Sequence, residues 1–352
     1  MSIKSIKNRR ITIIGGGGFI GHNMALHLKN LGAEVSLIDG LEVNNLISVI
    51  GNTDSLPYPE LSLTVINERL RLLHEVNIPL FIQDARDYHG LNKLLTKTDP
   101  QVIVHLAAVS HANRSNKDPY STFDHSFRTL ENALDFARGR VEQFIFFSSS
   151  MVYGHFKEGQ VDENTHCEPL GIYGALKYGG EKLVIAYNQV FGMPYTIIRP
   201  SALYGQRCIS RRVGQIFIEN ALFGKEITIS GDGSDSLDFT YIQDLVDGIT
   251  KMIENNNALN QTFNLTYGSA RRIGAMVEIL RNYFPNLAVR SIPKDALMPD
   301  RGTLSVDKAR SLVGYEPSWP LDRGYPLYIE WYKELFERNP SLRKVSSHQI
   351  QI

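Results

Sequence analysis

Four consecutive glycines, Gly15 to Gly18, end the β-branched run Ile11-Thr12-Ile13-Ile14 and lead into a helix-patterned stretch from Ile20 to Leu31. A short β-branched run bounded by glycine reads as a buried parallel strand, and Gly32 stops the helix that follows. Within the turn, the spacing Gly15-x-x-Gly18-x-x-Gly21 supplies backbone freedom that side chains deny. It lets the free N–H groups of a helix N-terminus face a pyrophosphate at close range. Phe19 and Ile20, between the last two glycines, fall beside the same ligand.

Strand-like runs recur at Glu34–Ile38, Pro79–Gln83, Val102–Leu106, Phe144–Ser148 and Tyr195–Arg199, with helical stretches between most of them. Alternating β and α units imply an α/β fold, a doubly wound parallel sheet covered on both faces. Asp39 ends the second strand, 18 residues beyond Gly21. A carboxylate there accepts hydrogen bonds from both ribose hydroxyls of an adenosine and repels a 2′-phosphate, which favours NAD over its phosphorylated form. Residues 41–77 exceed what a simple crossover needs and read as an insertion on the cofactor side, turn-rich from Gly51 to Pro59 and helix-like around Glu68 to Glu75. After Arg199 the alternation fades. Strand-like pieces (Ile227–Ile229, Phe239–Ile242, Phe263–Leu265) mix with helices (Val213–Phe223, Asp244–Glu254, Ala275–Tyr283). The expected division is a cofactor domain over 1–200, a smaller mixed α/β substrate lobe over 201–337, from which some elements can return to the first domain, and a polar tail over 338–352.

Charge narrows the function. The 37 Lys+Arg balance 37 Asp+Glu, so the basic footprint of a dedicated nucleic-acid binder is missing. Two cysteines, Cys167 and Cys208, make neither a disulfide framework nor a four-ligand zinc site, and no metal is expected. The apolar run after the basic start is only Ile11–Ile14, too short for a signal-peptide core, and no run approaches a membrane span. A reducing cytoplasm is the expected setting.

Tyr173-Gly174-Ala175-Leu176-Lys177 places a phenol and an ammonium four residues apart, on one face of a helix. The ammonium stabilises phenolate and lowers the tyrosine pKa, so the pair can move a proton at a sugar hydroxyl. Upstream, Phe144–Phe147 opens into Ser148-Ser149-Ser150, serines at the C-terminal end of a parallel strand, where open α/β sheets bind ligands.

These residues together resemble the extended short-chain dehydrogenases/reductases, the NAD-dependent nucleotide-sugar epimerases and dehydratases. The resemblance runs from about Arg10 to about Lys333. It adds Asp84-Ala85-Arg86-Asp87, His105-Leu106-Ala107-Ala108, Ser148-Ser149-Ser150-x-Val152-Tyr153-Gly154, Arg199-Pro200-x-x-x-Tyr204-Gly205 and Asp238-Phe239-x-Tyr241-Ile242-x-Asp244 to the glycine loop, Asp39 and Tyr173-x-x-x-Lys177. It implies a Rossmann-type domain, Tyr173 as acid/base, Lys177 as its electrostatic partner and ribose contact, and Ser149 as the serine that holds the substrate oxygen. It also implies that Asp84 and Ala85 approach the adenine, that Leu106, Ala107 and Ala108 line the cofactor, and that the chain forms a homodimer through helices near Thr122–Ala137 and Tyr173–Gln189.

Within that family the subclass can be argued from chemistry. Sugar 4,6-dehydratases carry an Asp-Glu pair just after the catalytic serine or threonine, and here Ser150 and Met151 stand there. Methionine moves no proton, so the elimination lacks its usual groups, whereas an epimerase needs one acid/base, one hydride acceptor and room for a ketone to turn. The expected reaction is epimerisation of a nucleotide-diphosphate sugar, at C4, with a dehydratase, decarboxylase or keto-sugar reductase as the alternative. Ser110-His111-Ala112-Asn113-Arg114-Ser115 points the other way, since it resembles the S-H-x-x-R-S substrate loop of the dehydratases. His111 there reads equally as a second proton carrier or as a loop histidine bonded to backbone. Usual diphosphate contacts have been replaced by Ala202, Leu237 and Leu297, and an N-x-x-G-T pattern by His125-x-x-Arg128-Thr129. Arg207, Arg211, Arg212 and Arg301 are near enough in sequence to restore the grip, or to form a solvated basic face. Of these, Arg207, Arg212 and Arg301 join Ser110, His111, Arg114, Ser149, Ser150 and Tyr173 as the expected substrate contacts.

Overall fold

The computed structural model describes residues 4–51, 56–109, 112–294 and 298–343, apart from the side chains of residues 112–114. Seven strands form one parallel sheet: β1 (Arg10–Ile14), β2 (Glu34–Asp39), β3 (Leu80–Ile82), β4 (Val102–His105), β5 (Gln143–Phe147), β6 (Tyr195–Arg199) and β7 (Gln261–Asn264). Their spatial order is β7-β6-β5-β4-β1-β2-β3, and every neighbouring pair is parallel. The order reverses between β1 and β4, so the cleft beyond their C-terminal ends is where such a sheet receives a ligand.

The strands are apolar on both faces because helices cover both. Ile11 and Ile13 of β1 join one buried cluster and Ile14 the other. On the first face lie α1 (Phe19–Asn30), α2 (Pro59–Glu75) and, further on, α6 (Ile242–Glu254). The second face is covered by α3 (Thr129–Ala137) and α4 (Gly171–Phe191). The remaining helices used below are α5 (Val213–Leu222) and α7 (Leu321–Arg338).

Two features sharpen the sequence reading. Phe263, within the 201–337 stretch from which elements can return, lies in β7 and pairs with Ile198 of β6, so the chain does return to the main sheet after α6. The inserted helix begins at Pro59 and runs far longer than the stretch around Glu68–Glu75. It packs through Leu61, Val65, Ile66 and Leu73, a helical stripe. Outside the sheet, Ile227–Ser230 pairs with Val289–Ile292, and Leu203–Tyr204 with Thr240–Tyr241. Buried carboxylates tie these pieces together. Asp238 accepts from Thr266 Oγ1 at 3.0 Å, Gly268 N at 3.1 Å and Leu304 N at 3.0 Å, while Asp244 accepts from the N–H groups of Ser318 and Trp319 at 2.7 and 3.1 Å. No helix among the described residues is long and apolar enough to cross a membrane.

Candidate functional site

The cleft beyond β1 and β4 holds three adjoining cavities. The first is lined by Gly15, Gly18, Phe19, Ile20, Asp39, Asp84, Ala85, Leu106, Ala107 and Ala108, which brings together all but two of the expected cofactor residues. Gly15 has φ +83°, and a Cβ there would lie 2.7 Å from Ala107 N, so backbone approaches backbone as no side chain would permit. The turn leaves the cradle open to a pyrophosphate at the start of α1. Gly21 is one exception. It is buried and does not line the cavity; a Cβ there would meet Gly16 Cα at 2.6 Å, so it serves the packing of α1 on the loop. Lys177 is the other, and it lines the second cavity.

Asp39 Oδ2 accepts from Gly17 N at 2.8 Å and Oδ1 from Leu41 N at 2.7 Å. Burial raises its pKa, and those two N–H groups oppose the rise. Each oxygen keeps a lone pair for a ribose hydroxyl. Burial works against the charge of Asp84 as well, but hydrogen bonds from Arg86 hold its carboxyl below the usual range. Glu42, from the inserted segment, also lines this cavity and accepts from His125 Nε2 at 2.9 Å and Arg86 Nη2 at 2.8 Å. Carboxylates at this end of the cradle disfavour a 2′-phosphate, so the residues present fit NAD.

The second cavity collects Ser148, Ser149, Ser150, Met151, Tyr173, Lys177, Arg212 and Arg301. α4 reaches it because Gly180 lies flat on β5, where a Cβ would meet the Phe146 ring at 2.7 Å. Close packing carries Lys177 Nζ to within 2.7 Å of the Phe147 carbonyl, fixing the ammonium at the end of β5. Burial lowers Lys177 from 10.5 to about 8. Ser149 Oγ accepts from Met151 N at 3.2 Å and caps the short turn Ser150–Tyr153. Ser148 faces away, donating to Glu181 at 2.5 Å. Glu181 in turn holds Arg199 at 2.9 and 2.7 Å, and Arg199 Nη1 donates to Tyr153 at 2.9 Å. This buried pair, satisfied on both sides, braces the floor under the serines. Behind the cofactor side His105 is pushed down to about 3 by burial and the nearby Lys177 charge, so it stays neutral.

The third, outer cavity runs along α5 and the strand Ile227–Ser230. Ala202 and Leu237, which stand where diphosphate contacts are usual, both line it. Its cations are Arg211, Arg212, Lys294 and Arg301. Arg211 is paired with Glu219 at 3.1 Å, and Lys294 with Asp235 and Asp300, each at 2.8 Å. Among the described residues no carboxylate pairs with Arg212 or Arg301, and Arg212 Nε is buried without a partner. Arg212 lines all three cavities.

Arg207 is turned elsewhere, contrary to expectation. Its Nε donates to His22 Nε2 at 2.9 Å, its Nη2 to Asn23 Oδ1 at 2.7 Å, and Glu68 lies 3.7 Å away. His22 Nδ1 must then carry the proton it donates to Gly18 O at 2.8 Å. Arg207 therefore braces the glycine loop from beneath. Ser110 and His111 lie outside the described residues, as do Leu297 and the side chain of Arg114.

Sequence reasoning missed Arg69. This residue of α2 is fully buried and donates from Nε to Arg207 O at 2.9 Å and from Nη1 to Gly17 O at 3.4 Å. A signal for it exists: an arginine on the buried stripe Leu61, Val65, Ile66, Leu73 must find acceptors inside. Lys294 and Glu42 carry no comparable signal.

Comparison with known proteins agrees with this geometry. Residues 11–266 match the model of the NAD dependent epimerase/dehydratase family. The chain is 31% identical over 333 residues to the uncharacterized UDP-glucose epimerase YtcB of Bacillus subtilis, covering 93% of this chain and 99% of that one. It is 27% identical over 361 residues to UDP-glucuronate 4-epimerase 6 of Arabidopsis thaliana, covering 96% and 74%. The crystal structure of UDP-glucuronic acid 4-epimerase from Bacillus cereus, in complex with UDP-glucuronic acid and NAD, superposes with a TM-score of 0.81 at 25% identity, over 92% of this chain and 99% of that one. A parallel seven-stranded sheet that presents a glycine cradle and a Ser-Tyr-Lys cluster to one cleft accounts for these matches. The chain belongs to the NAD-dependent epimerase/dehydratase family.

Proposed function

We propose that the protein is an NAD-dependent epimerase that inverts C4 of a nucleotide-diphosphate sugar. The observation that carries this reading is the lining of the second cavity: no Asp or Glu among its described residues, and Met151 where a dehydratase needs an acid. Expulsion of water needs an acid and a base beyond the tyrosine; inversion at one carbon does not.

Gly15, Gly18, Asp39 and Asp84 hold the cofactor, with Ala85, Leu106, Ala107 and Ala108 along its walls. NAD, when bound, supplies the acceptor and later the donor of a hydride at C4. Tyr173 takes the proton from O4 and returns it. Lys177, held at the Phe147 carbonyl, stabilises the phenolate by its charge. Ser149, whose oxygen already accepts from Met151 N, turns its O–H toward the substrate oxygen. Ala108, Ala202 and Leu203 leave room for the ketone to present its other face. Arg212, at the junction of the cavities, grips the diphosphate from a position of its own.

Three companions belong to this reading. Residues 1–200, with β7 returned to them, form the cofactor domain, and most of 201–337 the substrate lobe. Two copies pair through the helices near Thr122–Ala137 and Tyr173–Gln189; exposed Phe123, Val190 and Phe191 on these elements support that face. The cytoplasm suits two buried, unpaired cysteines. Incubation with UDP-glucose, UDP-galactose and their acidic counterparts, followed by mass spectrometry and chromatography, tests the reaction. The expected product is an epimer of unchanged mass, and a stable loss of water overturns the reading.

A further inference from the structure

We infer that Arg301 receives a carboxylate carried by the sugar itself, so that the substrate is a nucleotide-activated uronic acid. This rests on the proposed epimerase reading and adds the class of sugar to it.

The second cavity is lined by three cations, Lys177, Arg212 and Arg301, and by no acid among its described residues. The three are held differently. Lys177 is fixed at the end of β5 beside the cofactor side. Arg212 stands where all three cavities meet, the place for a group that joins sugar to nucleotide. Arg301 meets the serine turn, donating from Nη1 to Ser150 Oγ at 2.9 Å and lying with Nη2 at 2.9 Å from Met151 Sδ. Its neighbour Asp300 does not neutralise it, because Asp300 turns outward to Lys294 at 2.8 Å and His155 at 3.3 Å. A guanidinium kept inside a protein without a carboxylate is costly unless a ligand brings the counter-charge.

The hydrogen-bonding roles on this wall point the same way. Ser150 Oγ accepts from Arg301, so its hydroxyl proton is left to donate elsewhere, while the Ser149 proton is engaged at the reacting oxygen. The wall thus offers the Ser150 O–H beside a guanidinium. A carboxylate takes both the hydroxyl and the guanidinium as donors and brings the missing counter-charge, whereas a hydroxymethyl group brings none. Position then selects the carbon. Tyr173 and Arg301 line the same cavity, and burial lowers that guanidinium only to about 10, so it stays charged. If Tyr173 works at O4, a group facing both it and Arg301 hangs from a carbon next to C4; of the two, C5 carries the exocyclic carbon that can be a carboxylate, while the diphosphate on C1 lies across the ring from C4. The fork of an arginine suits a planar carboxylate at that place.

The test uses the NAD-loaded full-length protein with UDP-glucuronate and UDP-glucose as probes. Calorimetry gives both affinities and chromatography any inverted product, for the natural chain and for Arg301→Met and Ser150→Ala. The acid should bind at least tenfold more tightly than the neutral sugar. Arg301→Met should collapse that ratio to about one, and Ser150→Ala should lower it partway. Equal affinities in the natural chain, or no binding of the acid, overturn the inference. So does a fall of both affinities together in Arg301→Met with the ratio kept, which would place the guanidinium on the diphosphate. Inversion of UDP-glucose alone leaves the epimerase reading standing and sinks this one. Tight, Arg301-dependent binding of the acid without inversion does the reverse.

Discussion

The cofactor cradle is built largely from backbone, whereas the cavities beyond it are built from side chains delivered by distant segments. In the cradle, Gly15 to Gly18 and the start of α1 present N–H groups, and the lining carboxylates Asp39 and Asp84 are fixed by their own neighbours. On the substrate side the positive charge comes from Arg212 and Arg301, which lie 89 residues apart in the chain. A helix terminus offers its partial charge wherever a glycine turn allows close approach. Guanidinium groups act at a point, so their placement can migrate along the chain while the ligand stays put. That difference explains how Ala202 and Leu237 can replace polar contacts in the outer cavity while the cradle keeps its pattern.

The two halves should separate under mutation. Tyr173→Phe removes only the proton carrier, and kcat is expected to fall by about a thousandfold. NAD recovered from the denatured variant should match the natural chain. A variant that loses turnover and NAD together would show that the halves are not independent. Gly15→Ala attacks the other half. A Cβ at φ +83°, 2.7 Å from Ala107 N, must displace backbone, so the expected outcome is loss of bound NAD and about 3 kcal/mol of stability in chemical denaturation.

The same contrast governs how much of the molecule is legible in its sequence. Strands β1, β2 and β4 to β6 are contiguous β-branched or aromatic runs, and the cradle is a local pattern within a dozen residues, so periodicity and spacing suffice. Tyr173 and Lys177 share a helix face by spacing alone. The arginines are a different problem. Arg207, Arg211, Arg212 and Arg301 are chemically alike in sequence, yet the fold gives Arg207 to His22 and Asn23, Arg211 to Glu219, and leaves Arg212 and Arg301 facing the cleft. Long-range packing decides among them, and no local rule ranks them. The strand at Phe263 is visible in its residues, but its partner β6 lies some sixty residues earlier, so its place in the sheet is not.

Arg69 probes how the insertion serves the cradle. Methionine fills similar volume without the hydrogen bonds to Arg207 O and Gly17 O. Leaving buried carbonyls unpaired costs about 2 kcal/mol. The loosened loop should weaken NAD about tenfold in a fluorescence titration, with KM for the sugar nucleotide unchanged at saturating cofactor. On the other side, Arg212→Ala should raise KM about tenfold while NAD content stays normal. An unchanged KM removes Arg212 from the substrate grip.

The smallest expected effect, a pH profile, joins the two halves at Lys177. Burial places its ammonium near 8 instead of 10.5, so raising the pH from 7 to 9 takes it from mostly charged to mostly neutral. If the charge stabilises the Tyr173 phenolate, turnover should fall by up to about tenfold over that window. Stability must move the other way. Between about pH 8 and 10.5 the unfolded chain binds more protons at this lysine than the folded chain does, so its contribution makes the fold more stable as pH rises. Loss of activity with no drop in melting temperature over pH 7 to 9 is therefore the expected signature, and it separates titration from unfolding. Lys177→Arg keeps its charge throughout and should show a lower rate without the descending limb. A limb that persists in that variant would assign the titration to another group.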